Sequence, residues 1–192
     1  GSLRVDARDG MDEVLVGTEG DSGSVDGNLF IDVGPGDQQS VLVGADPGRV
    51  LTIGGSLGIW TTDDAGPSLI GLAGVDVGSW TEIWTGAGAD EVAVTGSTFR
   101  GEFELDTWAG DDKVALEFLG GTTTFRGPVW VGTGDGDDMV LVGGNDENPG
   151  RVFFTGATTW DGGAGTDLLV VRFTGGVFLG PDPVVSGFEV SA

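Results

Sequence analysis

The chain has no cysteine, no histidine and no tyrosine, and Lys113 is the single lysine among its 192 residues. Without cysteine there is no disulfide framework and no thiolate chemistry. Without histidine the commonest general base is missing. No run of about 18 apolar residues occurs, so nothing in the sequence reads as a membrane-spanning helix and membrane insertion is not expected. Basic residues are scarce: eight Lys and Arg stand against 31 Asp and Glu, for a formal charge of −23. Nucleic acid and anionic membranes need a basic surface, so neither is an expected partner. Cations, cationic partners and neutral glycans remain open.

Glycine is abundant, at 39 positions. Val, Leu, Ile, Phe and Trp are nevertheless frequent and regularly placed, which separates the chain from disordered sequences that lack apolar residues to bury. The regularity is a phrase, Gly-x-Gly-x-Asp-x-Val-x-Val, that returns every 22 to 29 residues. Its clearest copies run from Gly86 to Val94 and from Gly134 to Val142; drifted copies run from Trp108 to Leu116 and from Gly163 to Val171. A fixed period of this length marks a solenoid whose repeats stack on their neighbours.

Upstream of each turn lies an apolar-x-Gly step, as in Val25-Asp-Gly27, Ile53-Gly-Gly55, Phe99-Arg-Gly101, Phe125-Arg-Gly127 and Phe154-Thr-Gly156. From the small residue of that step to the Asp position the count is 11, as in Ser79 to Asp90, Gly101 to Asp112, Gly127 to Asp138 and Gly156 to Asp167. Gly1 to Asp12 and Gly27 to Gln38 keep the same count. Length therefore varies only in the other arc. Within the constant arc, Glu102-Phe-Glu-Leu-Asp106 and Asn28-Leu-Phe-Ile-Asp32 alternate polar and apolar, as strands do.

Three short strands and three corners in about 26 residues describe one coil of a parallel β-helix, expected right-handed. The fold class is therefore all-β, a β-solenoid of about seven coils in one domain spanning residues 1–192. The inward columns are Leu3/Leu29/Leu57/Phe103/Val129/Thr158 and Val5/Ile31/Ile59/Ile83/Leu105/Val131/Trp160. Pro181-Asp-Pro183 interrupts the pattern, so residues 181–192 read as a C-terminal cap or the start of one. The repeat already runs at Leu3, and the chain reads as a segment of a longer protein.

Gly162-Gly-Ala-Gly-Thr-Asp167-Leu-Leu-Val170 resembles the calcium-binding nonapeptide of RTX (hemolysin-type) proteins. That resemblance implies Ca²⁺ held by turn carboxylates and carbonyls, with Asp90, Asp111, Asp112, Asp137, Asp138 and Asp167 as candidate ligands. RTX turns recur every nine residues, whereas here one turn serves each coil. The whole repeat, as in Glu102-Phe-Glu-Leu-Asp106-Thr-Trp-Ala-Gly110-Asp-Asp112-Lys-Val114, is more similar to the long-coil β-solenoid repeats of large secreted and cell-surface proteins of bacteria such as planctomycetes. That resemblance implies an extracellular setting and a scaffold or adhesion role, with no reaction. On the residues alone two readings of the turns stay open. Gly and Asp can serve only the backbone, or the stacked carboxylates can be bridged by a cation.

The constant arc also sorts the aromatics. Trp60 and Trp84 share an outward column with Asp32 and Asp106; Trp130 and Phe30 fall in the adjacent one, Trp80 in the next, and Trp160 faces the core. Outward Trp residues suit stacking on sugar rings or burial in a protein interface, unless a loop covers them. The strand after the turn has an apolar outer column of Leu15, Leu42, Ala93, Ala115, Leu141 and Val170, which suits side-by-side packing of two solenoids or is tolerated surface. Polysaccharide lyases and hydrolases also use parallel β-helices, but no carboxylate pair is singled out here. Arg100 and Arg126 occupy equivalent positions in adjacent coils, which suits either a small basic spot pairing with Glu102 or Glu104 or, the favoured reading, arginines that balance charge on an acidic surface. Thr85, Thr107 and Thr133 share one position, a weak match to the Thr ranks of ice-binding solenoids.

Overall fold

The structure, a computed structural model, describes residues 1–17, 22–44, 48–61, 66–144, 149–172, 177–178 and 181–191. Those residues form three parallel sheets of eight, eight and seven strands, and no helix occurs among them. Each coil gives one strand to each sheet in turn. In the central coil these are Phe103–Asp106 in the first sheet, Lys113–Leu116 in the second and Thr122–Phe125 in the third. The next coil repeats the path with Val129–Gly132, Met139–Val142 and Arg151–Phe154. Strand neighbours are always one coil apart, which makes the chain a β-solenoid and is compatible with about seven coils.

Alternation decides which side chains go in. Leu29, Leu57, Phe103 and Val129 pair in one register column with Thr81 among them, and Ile31, Ile59, Ile83, Leu105, Val131 and Trp160 in the other. All are buried. The apolar residues of the apolar-x-Gly steps line the third wall, where Phe99, Phe125 and Phe154 stack at 5.1 Å centroid spacing and 12° and 5° between planes. Phe103 meets Phe99 and Phe125 edge-on at 4.8 and 4.9 Å. Such contacts add ~1 kcal/mol each to the burial of the rings.

The constant count of 11 fails in more than one coil: Ser68, which stands opposite Gln39, lies 13 residues after Gly55. Gln39, not Gln38, stands opposite Asp12 and Ser68. The corner Gly34-Pro35-Gly36-Asp37 carries one extra residue, and the longer Gln39 side chain bridges it, its Nε2 donating to the carbonyls of Gly10 and Gly34 at 3.0 and 2.9 Å. At the other end, Val184–Ser186 and Phe188–Ser191 still add strands to the first and second sheets, joined by a one-residue corner at Gly187 (φ 77°).

Candidate functional site

The Gly-x-Gly-x-Asp turns stack directly on one another, with Ala87, Ala109, Asp135 and Ala164 forming single bridges between coils. Close stacking explains the glycines: a Cβ on Gly110 (φ 135°) would run into the Gly88 carbonyl. Trp108 occupies the left-handed place taken by Gly134 and Gly163, at φ 66°, where the Asp106 carboxylate accepts its N–H at 3.1 Å.

The candidate metal ligands form two rows, and both are engaged with backbone. In the inner row Oδ1 of Asp90 accepts the N–H of Ser68 at 2.6 Å, and Oδ1 of Asp112 that of Asp90 at 2.8 Å. Asp138 does the same for Asp112 at 2.8 Å, and Asp167 for Asp138 at 3.0 Å. Each carboxylate thus ties its coil to the one before it. In the outer, exposed row Asp111 accepts the N–H of Asp137 at 3.0 Å and Asp137 that of Thr166 at 2.9 Å. The second oxygens of Asp90, Asp112, Asp138 and Asp167 are buried with no hydrogen-bond partner.

Electrostatics follow from that burial. Desolvation pushes Asp112 up to about 7, against the N–H of Asp90 that pulls it down, and the charges of Asp90 and Asp138 push it further. Asp90 and Asp138 are raised as well, chiefly by burial. Among the described residues no group of three or more His, Cys, Asp or Glu is disposed to hold a metal ion. Thr85, Thr107 and Thr133 are buried, and their hydroxyls donate to carbonyls of the next coil at 3.2 to 3.3 Å. They are not a surface rank that ice would meet.

The outward aromatics stand in the columns that alternation gives them. Trp60 and Trp84 are register neighbours between Asp32 and Asp106. Phe30 lies 5.6 Å from Trp60 and 5.9 Å from Trp80, so three rings cluster. Gly58 makes room for them, since a Cβ there would strike the Trp60 indole and press on Phe30. Trp130 does not join: Gly58, Glu82 and Glu104 separate it from Phe30 in the same column, and its ring lies over Gly132. Trp80, Trp84 and Trp108 are exposed, and sequence periodicity did not single out Trp108 because it sits in a corner.

Beside this cluster is an open pocket of about 220 Å³ lined by Trp80, Thr81, Glu82, Glu102 and Glu104. Glu82 and Glu104 oppose each other across adjacent strands, and burial followed by the charges of Glu82, Glu102 and Asp106 raises the Glu104 carboxyl. Of the two readings of Arg100, charge balance on an acidic surface fits, and pairing with Glu102 or Glu104 is not made. Arg100 lies on the third sheet, where its Nε and Nη2 grip Asp76 at 2.8 and 2.6 Å. The register sets this pairing, since Asp76 stands beside Thr98, the residue next but one to Arg100.

One buried acid was not visible to sequence reasoning. Glu117 (φ 60°) is fully buried in the arc of variable length. Its Oε1 accepts from Thr95 Oγ1 at 2.9 Å and Gly121 N at 2.6 Å; its Oε2 accepts from Gly96 N and Thr123 Oγ1, both at 2.7 Å. It closes the corner between the second and third sheets. No protein-family model matches the chain, and neither the curated proteins nor the solved structures compared with it give a match.

Proposed function

We propose that the chain is a structural or adhesive segment of an extracellular, cell-surface protein: a right-handed solenoid rod that spaces or presents what is attached to it. One observation carries the reading. The acidic residues that recur most regularly are spent on coil-to-coil hydrogen bonds, from Ser68 through Asp90, Asp112 and Asp138 to Asp167. A chain whose most regular polar residues serve stacking is built to persist as a rod. Pulling on both ends of a single molecule tests this directly. A spacer yields coil by coil at sustained force, whereas release in one low-force step would remove the reading.

Calcium enters only as an added stiffener of the exposed Asp111 and Asp137 row, since no convergent donor set stands behind it among the described residues. Thermal melts with Ca²⁺ and with excess EDTA decide the matter. A lower melting point in EDTA supports the cation; identical curves take calcium out of the reading and leave the rod.

A second reading, a glycan-binding face, has its own support in the Phe30–Trp60–Trp80 cluster and the pocket beside it. Aromatic rings flanked by carboxylates suit the apolar faces and hydroxyls of a sugar. A glycan array with wild type and Trp80→Ala tests it, and retention of no sugar by wild type would sink it. No reaction is proposed.

A further inference from the structure

The outer face of the second sheet is largely apolar where that of the first is acidic. One column runs Leu15, Leu42, Gly71, Ala93, Ala115, Leu141, Val170. The adjacent outward column runs Glu13, Ser40, Leu69, Glu91, Lys113, Met139, Leu168, Glu189. Lys113 pairs with Glu91 at 2.8 Å, which leaves the face with three carboxylates and one ammonium. The outer face of the first sheet, by contrast, carries six carboxylates and one guanidinium. Leu15, Leu69 and Met139 are exposed at 49%, 42% and 37%.

We infer that this face is where a second copy of the chain docks, second sheet against second sheet. Two arguments select a copy as the occupant. First, charge and apolarity: two bodies of −23 repel, the outer columns of the second and third sheets both carry few carboxylates, and of those two only the second presents an unbroken apolar column, against Ser24, Thr52, Asp76, Thr98 and Thr124 on the third. Second, size and shape. Eight strands at ~4.8 Å and about four residues of ~3.3 Å give a footprint of ~450 Å². With side-chain relief the pair buries ~1,000 Å², the lower bound for a specific interface. Flat pleated faces pack on one another at ~10 Å, and a two-fold pairing presents the same apolar column from both sides. Small Gly71 and Ala93 at the centre let the two sheets approach, beside Ala115, which its neighbours already bury. The association follows from the face alone, whatever load the rod carries.

Size and charge together fix the behaviour. The dimer is weak, and it strengthens as salt rises, because screening shortens the repulsion from ~30 Å at 0.01 M to ~3 Å at 1 M while apolar contact persists. Sedimentation of the full chain at graded concentrations tests this, in ~0.01 M and ~1 M NaCl. The expected result is the 19.5 kDa monomer at low salt and a growing species of twice that mass at high salt. Leu69→Glu and Met139→Glu, each checked for an unchanged melting point, are expected to weaken dimerisation at least tenfold at high salt. Trp84→Ala, on the first sheet, is expected to leave it unchanged. A monomer at every salt overturns the inference. So does a dimer that survives both glutamate variants, which would mean pairing through the open strand edges at the solenoid ends.

Discussion

Replacing Glu117 by Gln is the sharpest test of how the variable arc is held. Each carboxylate oxygen takes one backbone N–H and one hydroxyl: Gly121 N and Thr95 Oγ1 on Oε1, Gly96 N and Thr123 Oγ1 on Oε2. A hydroxyl can turn and accept, but a backbone N–H cannot. Whichever way the Gln amide is placed, its NH₂ faces one fixed N–H, and that donor loses its partner in a fully buried site. The orphaned N–H costs ~1–3 kcal/mol, and the remaining bonds lose their charge assistance, so the total is ~2–4 kcal/mol. Glu117→Ala strands all four donors and opens a cavity, for ~3–5 kcal/mol. Both are large against a domain stability of ~5–15 kcal/mol. Urea unfolding read by Trp fluorescence is the assay, and a chain of this size should melt ~5–12 °C lower with Gln. A Gln variant within ~0.5 kcal/mol of wild type would refute the reasoning, because it would mean that water or rearranged backbone satisfies the donors.

Two further outcomes follow from buried polar atoms. Asp112 carries a folded-state value raised to about 7, above its unfolded value of ~3.9, so the folded protein holds the proton more tightly. Its contribution is full below ~4 and is lost as pH rises through about 7. Asp112→Asn keeps an oxygen for the Asp90 N–H but cannot ionise. Its stability relative to wild type should therefore improve by ~3 kcal/mol between pH 5 and pH 8 in chemical denaturation, and parallel curves would contradict the raised value. Thr81 sits in the inward column between Leu57 and Phe103, and its buried hydroxyl has no partner. Thr81→Val should stabilise by ~1–2 kcal/mol in the same assay, and a loss would mean that the hydroxyl is hydrogen-bonded.

Much of this architecture was legible in the sequence, for a physical reason. In a parallel stack every coil meets the same environment, so the inward columns through Leu29 and Ile31, the Phe99–Phe125–Phe154 stack and the Asp90–Asp112–Asp138 row all repeat as columns in the text. What escaped depends on side-chain reach or on single corners. Gln39 takes the place of an Asp because the extra corner residue moves that register position one residue along, and its Oε1 accepts the Asp12 N–H at 3.3 Å. Glu117 belongs to an arc that no neighbour repeats. Arg100 turned to Asp76 rather than to Glu102 or Glu104, a choice between acids that spacing alone does not make. Of the outward aromatics, the columns were readable, but the gathering of Phe30, Trp60 and Trp80 apart from Trp130 depends on glycines at 58 and 132 over which rings fold.

The turn aspartates hold the coils together, and amide hydrogen exchange on the intact chain measures this most directly. Asp90, Asp112 and Asp138 sit in corners, where amides ordinarily exchange fast. Their N–H groups are bound to the buried Oδ1 of Asp112, Asp138 and Asp167. They should therefore exchange as slowly as strand amides such as those of Val92 and Val140, at the rate of global opening. Exchange at the rate of open turns would contradict the ladder and, with it, the view that these carboxylates exist to stack the rod.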